Sequence, residues 1–204
     1  MSGVFVVLEG VDGCGKSTQA RRLCRRLADQ GRRGPLHVRE PGGTRAGERI
    51  RELLLDRETG ELAPVTEVFL YQAARAQLVA EVLRPALAAG RDVICERWHY
   101  ATLAYQGIAG GAGREAVERT SSLATGGLEP GRAVLLDLPG ASADARLGAD
   151  LDRIESRGAA YRVQVGDGLR EIFETGGETF RIVPAEGTKD QVEESVWEAV
   201  RDLF

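Results

Sequence analysis

Gly10-Val11-Asp12-Gly13-Cys14-Gly15-Lys16-Ser17 satisfies G-x-x-x-x-G-K-[ST] at every fixed position. Before it stands Val4-Phe5-Val6-Val7-Leu8-Glu9, a short apolar run rich in β-branched residues that reads as a buried strand. After it Ala20, Leu23, Cys24 and Leu27 recur at i, i+3, i+4, i+7, the spacing of one helix face. The motif thus lies between a strand and a helix, the context a phosphate-binding loop requires. Its glycines let successive backbone N–H groups turn toward an anion. Lys16 is expected to reach the outer phosphates, and the Ser17 hydroxyl to ligate Mg²⁺.

The 204 residues, 43% hydrophobic, are enough for one α/β domain with its own core, spanning 1–204. A net charge of −4 argues against a surface that wraps nucleic acid, so no nucleic-acid partner is expected. The run Arg21, Arg22, Arg25, Arg26 falls opposite the apolar stripe of the first helix and reads as a solvated face. Cys14, Cys24 and Cys95 lack metal-type spacing, and three is odd for a disulfide framework. Cys24 and Cys95 read as small core residues. No charged-then-apolar leader precedes the first strand and no apolar run approaches about 18 residues, so a soluble, cytoplasmic protein without a membrane partner is expected.

Strand and helix patterns alternate along the chain, which predicts a five-stranded parallel sheet between two helical layers. Further strands are expected at Leu36–Arg39, Asp92–Cys95, Ala133–Asp137 and Thr179–Val183. Helices are expected to about Asp56, from Pro64 to Gly90, from Trp98 to about Thr125 with a break at Gly107–Gly113, over Ser142–Leu147, from about Ala160 to Phe173, and from Lys189 to Leu203. Segment 148–157 is charged and bounded by Gly148 and Gly158, and it is expected to be a mobile lid with little part in the core.

Two large classes use this loop. In the switch class a strand ends in D-x-x-G, and Asp137-Leu138-Pro139-Gly140 fits that pattern. It lies far downstream of the loop, however, and a guanine-reading N-K-x-D is impossible in a chain without asparagine. In the small-molecule kinase class two anions meet, and arginine forks hold them in line. Arg39, Arg75, Arg97, Arg146 and Arg153 lie where strand ends and the lid segment should face such a site. Tyr71 and Arg75, at i and i+4, project together from one helix face.

The chain resembles the thymidylate kinases in Glu9–Thr18, in Arg39-Glu40-Pro41-Gly42-Gly43-Thr44, in Tyr71 with Ala73-Ala74-Arg75, and in Arg84-Pro85-Ala86-Leu87. The likeness continues through Glu96-Arg97, Ala104-Tyr105-Gln106-Gly107 and Leu151-Asp152-Arg153-Ile154-Glu155. The resemblance implies the P-loop NTPase three-layer α/β/α fold, Mg-ATP on the loop (Gly10, Val11, Asp12, Gly13, Cys14, Gly15, Lys16, Ser17, Thr18, with Arg146), and dTMP opposite. It implies that Tyr71 stacks on thymine, Arg75 bonds its carbonyl, and Arg97, with Arg39 nearby, grips the acceptor phosphate. By the same resemblance Thr102 and Tyr105 border base and sugar, Asp12 contacts the 3′-OH, and Glu96 joins Ser17 in the metal shell. The loop has no arginine of its own, so Arg153 is expected to swing in as the lid donor. A homodimer is implied as well.

Three departures stand out. The family's usual Asp-Arg pair is Glu96-Arg97 here, the lid carries only Arg146 and Arg153 before Ile154, and the tyrosine often found in the helix after the lid stands as Asp167. The alternative is a deoxynucleoside kinase, which also carries Glu-Arg at that strand end. Its 5′-OH acceptor needs a general base, for which Glu40 is the candidate.

Overall fold

A computed structural model describes residues 3–146, 148 and 151–204. Its sheet holds β1 (Phe5–Glu9), β2 (Leu36–Arg39), β3 (Val93–Glu96), β4 (Arg132–Asp137) and β5 (Phe180–Pro184), all parallel, in the order β2-β3-β1-β4-β5. This is the five-stranded α/β architecture expected from the alternating pattern. β1 lies in the middle and is buried along its whole length, which is why its sequence shows an unbroken apolar run rather than alternation.

The crossover helices are α1 (Lys16–Asp29), α2 (Arg45–Leu55), α3 (Pro64–Leu78), α4 (Arg84–Ala88), α5 (His99–Thr102), α6 (Arg114–Thr125), α7 (Gly140–Asp144), α8 (Ala159–Thr175) and α9 (Lys189–Val200). α2 starts at Thr44, whose hydroxyl accepts from Gly47 N, and α9 starts with a capping box between Thr188 and Gln191. The helix expected from Pro64 to Gly90 is divided by a π-helical turn, Val79–Leu83. Pro85 is the physical reason: it brings no N–H, and its ring crowds the carbonyl four residues back, so the preceding turn widens. The expected helix from Trp98 likewise passes through a π-helical stretch, Leu103–Ala109, before the glycine break. The short helix expected over Ser142–Leu147 sits earlier, at Gly140–Asp144, and Leu147 lies outside the described residues.

The arginine face of α1 is not merely solvated. Arg22 pairs with Asp190 at 2.6 Å and Glu193 at 2.7 Å, Arg26 pairs with Glu194 at 2.7 Å, and the Arg26 guanidinium lies 4.5 Å from the centre of the Trp197 ring. These contacts dock α9 on α1. Cys95 is fully buried, whereas Cys24 is half-buried. Among the described residues no helix is long and apolar enough to cross a membrane.

Trp98 ties the core to the cleft above it. It is fully buried, its ring meets Phe5 edge-on at 5.1 Å, and the Arg75 guanidinium lies 5.4 Å from its centre. Trp98→Ala is expected to cost roughly 3–5 kcal/mol in urea unfolding. Trp98→Phe should cost clearly less, because the buried indole N–H has no acceptor to lose among the described residues.

Candidate functional site

Parallel pairing of β1 with β3 and β4 brings three strand ends to one edge of the sheet, where the crevice of such folds lies. The loop leaves β1 with Gly10 at φ 142°, Gly13 at 80° and Gly15 at 100°. A Cβ at Gly10 would stand 2.7 Å from the Leu136 carbonyl oxygen, and one at Gly13 would stand 2.9 Å from that of Ala143. Both positions therefore need glycine on two counts, backbone conformation and close approach. Lys16 is buried, and its Nζ donates to the Gly10 and Val11 carbonyls at 2.9 Å each. Val11 and Cys14 point into the core, so their part in any anion cradle is backbone only.

Ser17 Oγ donates to Glu96 Oε2 at 2.6 Å. A hydroxyl and a carboxylate side by side form a hard oxygen donor set that fits Mg²⁺. Among the described residues no group of three or more His, Cys, Asp or Glu could hold a metal alone. A cation here would therefore complete its shell with phosphate oxygens and water.

Two hollows flank the loop. One runs between Gly13–Gly15, Thr18 and Arg146 on one side and the β5–α9 connection on the other. The second lies over Lys16 and Ser17 and is lined by Arg39, Arg51, Glu96, Arg97 and Arg146. A third pocket adjoins this second hollow and shares Asp12, Glu40, Arg51 and Arg97 with it. Its walls carry Tyr71, Arg75, Thr102 and Tyr105, closed by Leu55 and Ile154.

Arg97 stands at the junction in the left-handed region, at φ 69°, a conformation that costs a non-glycine residue about 1–2 kcal/mol. The turn lets its fork lie 2.5 Å from Asp12 Oδ1 and 4.8 Å from the centre of the Tyr105 ring, while Tyr105 Oη donates to Asp12 Oδ2 at 3.2 Å. Burial works against the Arg97 charge, but Asp12, Tyr105 and Glu9 outweigh it and hold the guanidinium firmly protonated. Burial also acts to raise the Asp12 carboxyl, yet Arg97 and Lys16 prevail and bring it down to about 2.

Arg75 is buried and held through all three of its guanidinium nitrogens. It donates to Glu40 Oε2 at 2.8 Å, to Gln72 Oε1 at 2.6 Å and to Thr102 Oγ1 at 3.1 Å. Glu40, expected as the possible base of the alternative, is buried in this ion pair at the junction of the two hollows, and burial raises its carboxyl to about 7 against the pull of Arg75. Arg51 is the residue that sequence reasoning missed. Burial and the nearby charges of Arg39 and Arg97 all lower its pKa, which marks a cluster of cations wanting an anion. Its position on α2, three residues after Glu48, was the available signal, but α2 also carries Arg45 and Arg49 on its exposed surface.

Arg153 lies elsewhere. It is buried, with Nε on the Leu54 carbonyl at 2.8 Å and Nη1 on Glu67 Oε1 at 2.7 Å, and it lines a groove with Arg57, Arg157 and Tyr161 rather than the loop. The local reason is a capping box: Asp152 Oδ1 accepts from Ile154 N and Glu155 N, and Glu155 Oε2 accepts from Asp152 N. That turn drives Ile154 into the core and Arg153 onto Glu67, so this part of the expected lid is packed. Ala149 and Asp150 of the same segment lie outside the described residues. Arg146 does border the loop, beside Gly13. Asp167 faces away, paired with Arg170 at 3.0 Å. A tyrosine does sit in the helix after this segment: Tyr161, whose hydroxyl donates to the Tyr105 carbonyl at 2.7 Å.

The family model described as thymidylate kinase matches residues 8–196. The chain belongs to the thymidylate kinase family. It is 44% identical over 205 residues to the thymidylate kinase of Desulforudis audaxviator, covering 100% of this chain and 93% of that one. It is 40% identical to that of Deinococcus radiodurans, covering 98% and 97%. With that of Rhizorhabdus wittichii it shares 39%, covering 100% of both.

The Asp12 pairing has a pH signature. A carboxyl held at about 2, against its ordinary 3.8, adds stability that is present above the ordinary value and is lost as pH falls toward 2. The difference in urea midpoint between wild type and Asp12→Asn is expected to narrow as pH drops from about 5 to about 3. A difference that widens with acid would contradict the pairing.

Proposed function

We propose that this chain phosphorylates dTMP to dTDP with Mg-ATP as donor, a step in supplying dTTP for DNA replication. It is an ATP-dependent nucleoside monophosphate kinase. The observation that carries this reading is the sharing of Asp12, Glu40, Arg51 and Arg97 between the hollow over the loop and the pocket beside it. A switch NTPase needs one phosphate cradle, whereas phosphoryl transfer between two anions needs two that open onto each other.

In this reading the backbone of Gly10–Thr18 cradles the donor phosphates and Lys16 bridges the outer ones. Ser17 and Glu96 would hold Mg²⁺, which when bound neutralises phosphate charge. Arg97, with Arg51 and Arg39, grips the acceptor phosphate, whose oxygen is already ionised and needs no base. Tyr71 covers thymine, Arg75 reads its carbonyl, Thr102 and Tyr105 border base and sugar, and Asp12 meets the 3′-OH. The donor-side arginine is Arg146, because Arg153 would have to abandon a buried ion pair to reach the loop. The protein acts as one kinase unit in the cytoplasm, as a homodimer. Support for the dimer is an exposed row of Val65, Phe69, Ala73 and Ala76 on α3 and Ala80 in the turn after it; Leu53 on α2 and Leu123 on α6 are exposed apolar side chains as well.

A coupled ADP-release assay should show rapid turnover with dTMP, far slower turnover with thymidine, and little release without acceptor. Release that ignores the acceptor would restore the switch reading. Arg97→Ala is expected to lower kcat/KM for dTMP by about 10²-fold or more while leaving ATP binding nearly intact. Arg146→Ala should lower kcat by about 10³-fold. Arg153→Ala should act first on the melting temperature; the opposite ranking of the two arginines would return the role to Arg153. Phe69→Glu should shift the mass measured by light scattering from dimer to monomer, and a wild type that is monomeric at assay concentrations removes the dimer.

A further inference from the structure

His37 is assigned no role by motif or fold, yet it touches the centre of the site. It lies on β2, two residues before Arg39, and parallel register places Arg39 opposite Glu96 and His37 opposite Ile94. His37 and Glu96 therefore share a face of the sheet, and the glutamate reaches back to the imidazole. His37 Nε2 stands 2.6 Å from Glu96 Oε1, while Ser17 Oγ stands 2.6 Å from Glu96 Oε2. A carboxylate only accepts, so the imidazole presents Nε2–H, and each oxygen of Glu96 takes one donor. Burial acts to raise the Glu96 carboxyl, but these hydrogen bonds from His37 and Ser17, with the nearby charges, keep it below its ordinary value.

We propose that His37 is a positioning residue for Glu96, fixing the carboxylate so that its second oxygen faces Ser17 and the Mg²⁺ of a bound nucleotide. The argument starts from side-chain length. Glutamate has one more rotatable bond than aspartate, so a carboxylate at this strand end sweeps a wider arc unless something outside the loop holds it. The loop supplies only Ser17, on one oxygen. His37 supplies the second restraint from the neighbouring strand, and the two donors together define one orientation of the carboxylate plane. A ligand oxygen held by an outer donor keeps its aim toward a metal, and loss of such a donor typically weakens the metal about 10-fold or more.

The proposal rests on reading the loop as a Mg-nucleotide site, and binding rather than turnover tests it. Calorimetric ADP affinity is measured with and without Mg²⁺ on wild type, His37→Leu and His37→Gln, and again with Glu96→Asp alone and combined with His37→Leu. In wild type Mg²⁺ should tighten ADP binding. His37→Leu should reduce that gain by about 5- to 10-fold while leaving Mg-free ADP affinity unchanged. His37→Gln, which can place an amide N–H near the lost one, should restore most of it. With Glu96→Asp in place, adding His37→Leu should change the gain less than about 2-fold, since the shorter carboxylate no longer reaches the imidazole. A full Mg²⁺ gain in His37→Leu overturns the proposal and leaves the nucleotide site standing. An equal loss with and without Mg²⁺ also overturns it, as a packing effect. A wild type whose ADP affinity ignores Mg²⁺ overturns the nucleotide reading and this proposal with it.

Discussion

Glu9, the last residue of β1, is fully buried, and its Oε1 accepts from Trp98 N at 2.7 Å and Ala101 N at 3.1 Å. This one carboxylate joins the strand that feeds the loop to the first turn after β3. Burial pushes its pKa up, while Arg97, the two backbone donors and Lys16 pull it down. It is the cap that α5 lacks from its own sequence, since Trp98 offers no capping oxygen. Through it the position of α5, and so of Thr102 and Tyr105, is set by the same strand that sets Lys16 and Ser17. The loop and the wall of the adjoining pocket are therefore referenced to a single point. Loss of that carboxylate would strip the buried Trp98 N–H of its acceptor and leave Ala101 N–H with only the Trp98 carbonyl, at 3.1 Å, which is why the segment holds one geometry.

Around this anchor the site stores charge in an uneven pattern. Arg39, Arg51 and Arg97 approach one another; Arg97 lies 2.5 Å from Asp12 and Arg39 3.4 Å from Glu48, while Arg51 donates to the Pro41 carbonyl at 3.1 Å. Arg75, by contrast, is neutralised by Glu40 and braced by Gln72 and Thr102. The difference fits the tasks proposed for them: a group proposed to read a neutral base is held still by its partners, whereas a cluster of cations proposed to receive a phosphate is relieved by it. The repulsion among the three cations is a cost carried by the fold and relieved by an anion, the electrostatic form of preorganisation.

Much of this was legible in the chain. The loop, its strand and its helix follow from glycine placement and apolar periodicity, and the i, i+4 spacing was enough to place Tyr71 and Arg75 on one wall. What could not be read were contacts made by register. That His37 reaches Glu96 depends on β2 lying beside β3, and that Arg22 and Arg26 meet α9 depends on the chain's end returning to its start. Neither adjacency has a local signature, and an arginine face that docks a helix looks in sequence like one that meets water. Arg51 was hidden for the same reason, among surface arginines of the same helix.

Arg153 shows why a motif's chemistry and its mechanics separate. The sequence of Asp152-Arg153-Ile154-Glu155 suggests a mobile carrier of a charge; the structure holds it in a reciprocally capped turn with its arginine paired to Glu67. Glu67 also accepts from Arg157 and from Gln106, and it sits on α3 one turn before Tyr71 and two before Arg75. A buried carboxylate with three donors resists separation, because any departing cation leaves an uncompensated charge in low dielectric. The turn is thus locked to the helix that carries Tyr71 and Arg75, and Asp152 and Ile154 line the same pocket as these two. In the proposed assignment the turn belongs to the acceptor side of the cleft, which leaves charge compensation on the donor side to Arg146, the arginine that already borders the loop.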